Sequence, residues 1–256
     1  NLFSVEKPSQ IPTICIGNIV VGGAGKTPVS MKICKMLTDA GYKPHFISKG
    51  YASTIKESTL VEPWHSPISV GDESLLLSEI ASTWIGVNRI KSSHLAKKNG
   101  ADCLIMDDGF QNPTIGKDFS IVVVDGEQEF GNKRVMPSGP LRESIHRGLS
   151  RTNVLVVIGE INDALIKLIP PTIPIFKARF EIKKDSEIYK GKNVTAFAGI
   201  AYPNKFFRTL EDQGAKVIES LSYPDHYMYN ENDILSLAEI ANKTKSILVT
   251  TKKDFV

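Results

Sequence analysis

The sequence predicts an α/β fold: a parallel sheet flanked by helices. Three observations predict it. Short continuous apolar runs, the mark of strands buried on both faces, alternate with longer segments of helical period. A glycine-rich turn joins the first apolar run to the first helical segment. A later apolar run, Cys103-Leu104-Ile105-Met106, ends abruptly in two acids, Asp107 and Asp108. The 256 residues suffice for one large or two small domains. An apolar content of 41% and a charged content of 23% are ordinary for a globular protein. A net charge of +3 is far from a nucleic-acid-binding composition, so no nucleic-acid partner is expected.

The elements follow in order. Residues 11–16 read as the first strand. Residues 28–40 read as the first helix, because Val29, Ile33, Met36, Leu37 and Ala40 recur at helical spacing and Gly41 stops it. Further strands are expected at 45–48, 103–106, 121–124, 154–158, 194–198, 216–218 and 247–250. Further helices are expected at 73–83, 92–99, 163–168, 203–213 and 231–242. Pro170, Pro171 and Pro174 signal a boundary. Residues 176–189 alternate without helical period, as an antiparallel excursion or a linking β segment would. The expected organisation is therefore an N-terminal domain at 1–160, a linker at 160–180 and a smaller α/β domain at 180–256. Cys15, Cys34 and Cys103 lie amid apolar residues with no metal-ligand spacing, and read as buried thiols in a reducing compartment.

The glycine-rich turn carries the chemistry. Residues 20–27 read Val-Val-Gly-Gly-Ala-Gly-Lys-Thr. Gly22, Gly23, Ala24 and Gly25 let backbone N–H groups curl around phosphate oxygens, and the following helix adds partial positive charge. Lys26 would reach the β- and γ-phosphates, and Thr27 would offer its hydroxyl to Mg²⁺. The usual first glycine of this loop is Val20 here, but the core of the pattern and its strand–helix context are intact. A chance turn would not explain an amphipathic helix that begins immediately after it. The turn predicts a P-loop that binds a nucleoside triphosphate together with Mg²⁺.

The paired acids extend the site. In P-loop proteins an acid at the carboxyl end of a neighbouring strand holds the metal, and ligands of open α/β sheets bind beyond those strand ends. Asp-Gly is also a common turn, yet two acids after an apolar strand favour the metal. Adjacent strand residues face opposite ways, so one of Asp107 and Asp108 is expected to meet it directly. Val70-Gly71-Asp72-Glu73 places two acids at a helix start, where Asp72 could simply be a cap. Tyr223-Pro224-Asp225-His226-Tyr227 offers a histidine near neutral pKa, though a lone loop histidine is usually just solvated. His45, His65, His94 and His146 have no better context.

Eight segments stand in order along the chain: Gly22-Gly23-Ala24-Gly25-Lys26-Thr27, Ser48-Lys49-Gly50-Tyr51, Val70-Gly71-Asp72-Glu73, Asp107-Asp108-Gly109-Phe110-Gln111-Asn112, Gly139-Pro140-Leu141-Arg142-Glu143, Phe197-Ala198-Gly199-Ile200, Pro224-Asp225-His226-Tyr227 and Thr250-Thr251-Lys252-Lys253-Asp254. Taken together they resemble the tetraacyldisaccharide 4'-kinases, the lipid A kinases of Gram-negative bacteria. The resemblance covers residues 11–256. It implies transfer of the γ-phosphoryl of ATP to the 4'-hydroxyl of a tetraacylated glucosamine disaccharide 1-phosphate, with nucleotide between two α/β domains. It implies Asp72 and His226 as the pair that activates the sugar hydroxyl. Thr27, Asp107, Asp108 and Glu73 become the metal candidates, and Lys49 and Arg142 the contacts to anionic groups. It implies a membrane-surface partner at the cytoplasmic face of the bacterial inner membrane. The chain departs from the family at Lys49, where Arg is usual, and Lys lacks the bidentate fork on phosphate. It also has Lys252 where Glu is common, and the family's leading hydrophobic helix is not among its 256 residues. Two alternatives remain: a soluble small-molecule P-loop kinase, and a P-loop ATPase switch of the partition or metallochaperone type. The latter carries a signature lysine where this chain has Val21.

Overall fold

The structure, a computed structural model, describes residues 10–180 and 188–256. The chain divides into two compact units, Asn1–Arg179 and Phe180–Val256.

In the first unit the chain runs β1 (Thr13–Gly17), α1 (Lys26–Asp39), β2 (Pro44–Ser48), β3 (Thr59–Leu60), α2 (Pro67–Val70), α3 (Asp72–Ser78) and β4 (Thr83–Ile85). It continues through α4 (Arg89–Lys98), β5 (Cys103–Asp107), β6 (Phe119–Asp125), α5 (Ile145–Leu149), β7 (Val154–Ile158), α6 (Asp163–Ile166) and β8 (Ile175–Ala178). The strands form one sheet of order β3-β4-β2-β5-β1-β6-β7-β8. Every pairing is parallel except β3 on β4. This is the expected P-loop-type parallel sheet flanked by helices.

Two apolar layers hold the sheet. Cys15, Leu104, Met106, Val122 and Val124 belong to one, and Ile16, Ile105, Ile121 and Val123 to the other. Each strand splits its side chains between the layers, as a period of two requires. The second layer is covered by α1, whose Cys34 is fully buried within it. Asp107 has the parity of Ile105, so the last residue of β5 arrives on the side that α1 covers. β1 and β5 run in register with Ile16 opposite Asp107, so the chain leaves β1 for the glycine loop beside that acid.

Several expectations need correction. α1 starts at Lys26 and not at Pro28. Proline is tolerated in a first turn because those N–H groups have no partner in the helix. Its buried stripe includes Ser30 and Cys34, while Met36 is 54% exposed and Ala40 lies beyond the helix. The helix expected at 73–83 ends at Ser78, and Thr83-Trp84-Ile85 is a strand, as its β-branched and aromatic residues prefer. The 160–180 linker is instead structure of the first unit. It supplies α6 and then β8, which pairs in parallel with β7 at the sheet edge rather than antiparallel. Part of the linking β segment, residues 181–187, lies outside the described residues.

The second unit runs β9 (Asn193–Ala198), α7 (Pro203–Asp212), β10 (Lys216–Ser222), α8 (Glu231–Lys243), β11 (Ile247–Thr250) and α9 (Lys252–Phe255). Its three strands pair in parallel in the order β10-β9-β11. Val194, Ala196, Ala198, Phe207, Leu210 and Val249 form its core.

Candidate active site

The glycine loop has the conformation its residues anticipate. Gly22 and Gly25 take φ of 109° and 81°, values that favour glycine, and Gly25 is the cap of α1. That cap gives no side-chain hydrogen bond, so the first N–H groups of α1 face the loop without a protein oxygen from the cap. Asn18 donates to the Gly22 carbonyl at 3.4 Å. Lys26 curls back, with Nζ 3.4 Å from the same carbonyl and 3.8 Å from Asp108 Oδ1.

The two acids part company, as opposite facing requires. Asp107 is buried and receives two hydroxyls: Ser30 donates to Oδ1 at 2.6 Å and Thr27 to Oδ2 at 3.1 Å. Burial pushes its carboxyl pKa up, opposed first by the Ser30 hydrogen bond and then by the charge of Lys26. Asp108 leaves the strand with φ of 48°, a conformation uncommon for a non-glycine residue and often found at functional turns. Its carboxylate is gripped by Arg142 in a two-pronged contact, NH1 to Oδ1 at 2.8 Å and NH2 to Oδ2 at 3.2 Å. Arg142 is delivered by its backbone: its N–H donates to Ile19 at 2.7 Å, and Val21 N–H donates to Pro140 at 2.8 Å. The stretch that opens the glycine loop is thus paired with the stretch that carries Arg142. Arg142 also reaches Gln111 Oε1 at 3.3 Å, and Gln111 Nε2 donates to Asn18 O at 2.8 Å.

The segments that carry Lys49 and Asp72 meet at a close glycine contact. Gly71 has φ of 88°, and a Cβ there would fall 2.7 Å from the Tyr51 carbonyl. The Ser48–Tyr51 turn therefore lies directly against the entry to α3. Gly71, not Asp72, is the cap; Asp72 is the first helical residue, and its Oδ1 accepts from the Glu73 N–H at 2.7 Å. α3 in turn packs on α1, with Leu77 in the same apolar layer as Cys34. Glu73 lies in the first turn of α3.

His226 belongs to the second unit. It too has a positive φ, 60°, held by its N–H bond to Gly199 at 3.0 Å. Its Nε2 lies 3.3 Å from Lys253 Nζ and 3.9 Å from Asp225 Oδ1, and Lys253 pairs with Asp225 at 2.9 Å. Asp254 accepts the Gly199 N–H at 2.8 Å. The three C-terminal motifs therefore form one cluster. His45 is a core residue instead, accepting from Trp84 Nε1 at 3.2 Å, and burial lowers its pKa.

Two residues escaped the sequence reading. Ser30 looked like one more position on α1; its signal was a hydroxyl three residues after Thr27, nearly one turn along the same face. Arg89 opens α4, is 5% exposed, and donates from NH2 to the Asp108 carbonyl at 3.4 Å. Its NH1 is buried without a hydrogen-bond partner among the described residues. A buried arginine cannot be read from a sequence whose charges usually lie outside.

The whole of residues 2–256 matches the profile of the Tetraacyldisaccharide-1-P 4'-kinase family. The chain belongs to that family. A tetraacyldisaccharide 4'-kinase of Gluconobacter oxydans is 43% identical over 249 residues, covering 97% of this chain and 76% of the relative. One from Paramagnetospirillum magneticum is 45% identical over 253 residues, covering 98% and 78%. The crystal structure of Aquifex aeolicus LpxK in complex with ATP superposes with a TM-score of 0.73 at 27% identity, covering 98% of this chain and 81% of that one. Membership makes this tetraacyldisaccharide 4'-kinase family chain a kinase, and sets aside the switch-type ATPase alternative. Among the described residues, no helix is long and apolar enough to cross a membrane.

Proposed function

We propose that the chain transfers the γ-phosphoryl of ATP to the 4'-hydroxyl of a tetraacylated glucosamine disaccharide 1-phosphate, in lipid A biosynthesis. The observation that carries this reading is the Thr27–Asp107 pair at the mouth of a glycine loop, in a chain of this family.

The backbone of Gly22, Gly23, Ala24 and Gly25 and the ammonium of Lys26 would hold the β- and γ-phosphates. A hydroxyl and a carboxylate oxygen 3.1 Å apart suit Mg²⁺, which takes few protein ligands and keeps water and phosphate around it. Thr27 and Asp107 would hold it, with Glu73 as the remaining candidate. Once bound, the ion supplies charge neutralisation to the phosphoryl group in flight. Asp108 would act differently, setting Arg142 and Lys26 at the loop. Asp72 would take the proton of the 4'-hydroxyl as that oxygen attacks the γ-phosphorus and the bond to the bridging oxygen of ADP breaks. His226, from the second unit, would orient Asp72 or relay the proton. Lys49, on the turn that abuts the entry to α3, would meet an anionic group of the acceptor. An acylated acceptor would put the reaction on a membrane surface, and its ATP co-substrate would put it at the cytoplasmic face of the bacterial inner membrane.

The test is one assay. Full-length protein is incubated with [γ-³²P]ATP and the disaccharide 1-phosphate, and label is followed into the lipid phase. Transfer to the 4'-position supports the reading. ATP hydrolysis with no labelled lipid would sink it.

A further inference from the structure

Between β6 and α5 the chain makes an excursion whose tip takes no part in the contacts of the candidate site. Phe130 and Leu141 are each 1% exposed and fix its two ends in the core. Residues 131–138 between them are exposed without interruption. The excursion is closed upon itself. Leu141 N–H donates to Arg134 O at 3.0 Å and Met136 N–H to Leu141 O at 2.9 Å. Asn132 spans the loop, with Nδ2 donating to Ser138 O at 2.9 Å and Oδ1 accepting the Arg134 N–H at 3.1 Å.

The side chains at the tip are Lys133, Arg134, Val135 and Met136. Val135 is 42% exposed and Met136 57% exposed, while both cations stand in solvent. The sequence holds no acid from Phe130 to Arg142. Scattered single apolar residues on a surface need no explanation. Two adjacent ones, held out by a self-bonded loop beside two cations and no acid, have the make-up of an interfacial anchor.

We propose that this tip docks on an anionic lipid surface. Val135 and Met136 enter the boundary between headgroups and acyl chains, and Lys133 and Arg134 meet lipid phosphates. Charge complementarity chooses the occupant, together with the acylated, anionic acceptor of the proposed function, on which the choice partly rests. An acidic protein would satisfy the cations equally, but the apolar pair would then need a receiving pocket. A bilayer takes a tip of any shape. The base of the excursion is hydrogen-bonded to the phosphate loop through Val21 and Arg142, so docking would hold the phosphate site beside the lipid phase.

The experiment is co-sedimentation of the full-length chain with vesicles of phosphatidylcholine alone, or of phosphatidylcholine and phosphatidylglycerol in equal parts. The parent protein is expected to favour the anionic vesicles and to be released by salt. Lys133→Glu with Arg134→Glu should weaken that binding by on the order of tenfold or more. Val135→Asp with Met136→Asp should weaken it comparably. A Met136→Trp variant should show a blue-shifted emission on anionic vesicles. All these positions are exposed, and turnover of detergent-dispersed acceptor should be unchanged. Equal vesicle binding by parent and both double variants would overturn the proposal, as would no preference for anionic lipid. A raised KM for dispersed acceptor with vesicle binding intact would make the tip a substrate contact, and would also overturn it. Vesicle binding as described without phosphoryl transfer would instead overturn the kinase reading and leave the docking surface standing.

Discussion

Ser30 donates a 2.6 Å hydrogen bond to Oδ1 of Asp107, and Thr27 donates to the other oxygen of the same carboxylate. Ser30 is 0% exposed and Asp107 2% exposed. Ser30 thus fixes which way the carboxylate turns and leaves Oδ2 for Thr27 and for the ion of the proposed mechanism. Ser30→Ala should weaken the response to Mg²⁺ by about 10–100-fold, the usual cost of losing a group that orients a ligand. Ser30→Thr should restore it. Mn²⁺ binding in the presence of nucleotide, followed by electron paramagnetic resonance, checks the effect apart from turnover. Unchanged ion affinity in Ser30→Ala would show that Asp107 is held by its surroundings alone.

Lys26→Ala should nearly abolish turnover, because phosphoryl transfer relies on positioning and charge neutralisation. Lys26 has only 11% of its side chain exposed and makes its ion pair with Asp108. The variant should stay folded by circular dichroism. A wild-type rate from it would remove the glycine loop from the reaction.

Arg142→Ala should lower kcat/KM by roughly tenfold, the scale of a charge-assisted hydrogen bond. Arg142→Lys should recover little, because lysine cannot reproduce the two-pronged grip on Asp108. The melting temperature should hardly move, since partly exposed ion pairs contribute about 0–1 kcal/mol. A loss of stability with intact kinetics would make Arg142 a structural residue.

Asp72→Asn keeps the shape of the first turn of α3 and removes the proposed base. It should lower kcat by about 10²–10⁴-fold with ATP affinity near normal. His226→Ala should cost as much or less, and the double variant far less than the product of the two. Additive losses would mean that the two residues act separately. Normal kcat with lower thermal stability in Asp72→Asn would reduce Asp72 to a helix-start residue and turn the search to Asp108, then Asp225.

Cys15, Cys34 and Cys103 are free and buried. Burial pushes the Cys15 and Cys103 thiols from 9.0 up to about 12, and Cys34 up to about 11. None should react with Ellman's reagent before unfolding. The unfolded chain ionises its thiols near pH 9 and the folded chain resists, so their contribution to stability is present below pH 9 and is lost as pH rises towards 11–12. Denaturation midpoints at pH 8 and pH 10 check this. An alkaline loss just as steep in a variant with all three cysteines replaced by alanine would assign it to other groups.

What the sequence determined by itself is local. The glycines and Lys26-Thr27 specify the shape of the glycine loop because their conformations and donors are properties of a few adjacent residues. The buried parallel strands were legible because continuous apolar runs have few other uses. The break at Ser78, the strand at 83–85 and the edge strand at 175–178 were not, since short elements take their state from the sheet they join. Tertiary structure decided how the acids divide. Strand parity sends Asp107 under α1 to Ser30 and Thr27, while the turn sends Asp108 to Arg142 and Lys26. It also decided that Arg89 is buried beneath that turn and that Lys49 lies on a turn packed against Gly71. Those facts depend on register and close packing between segments distant in sequence, and no window of neighbouring residues contains them.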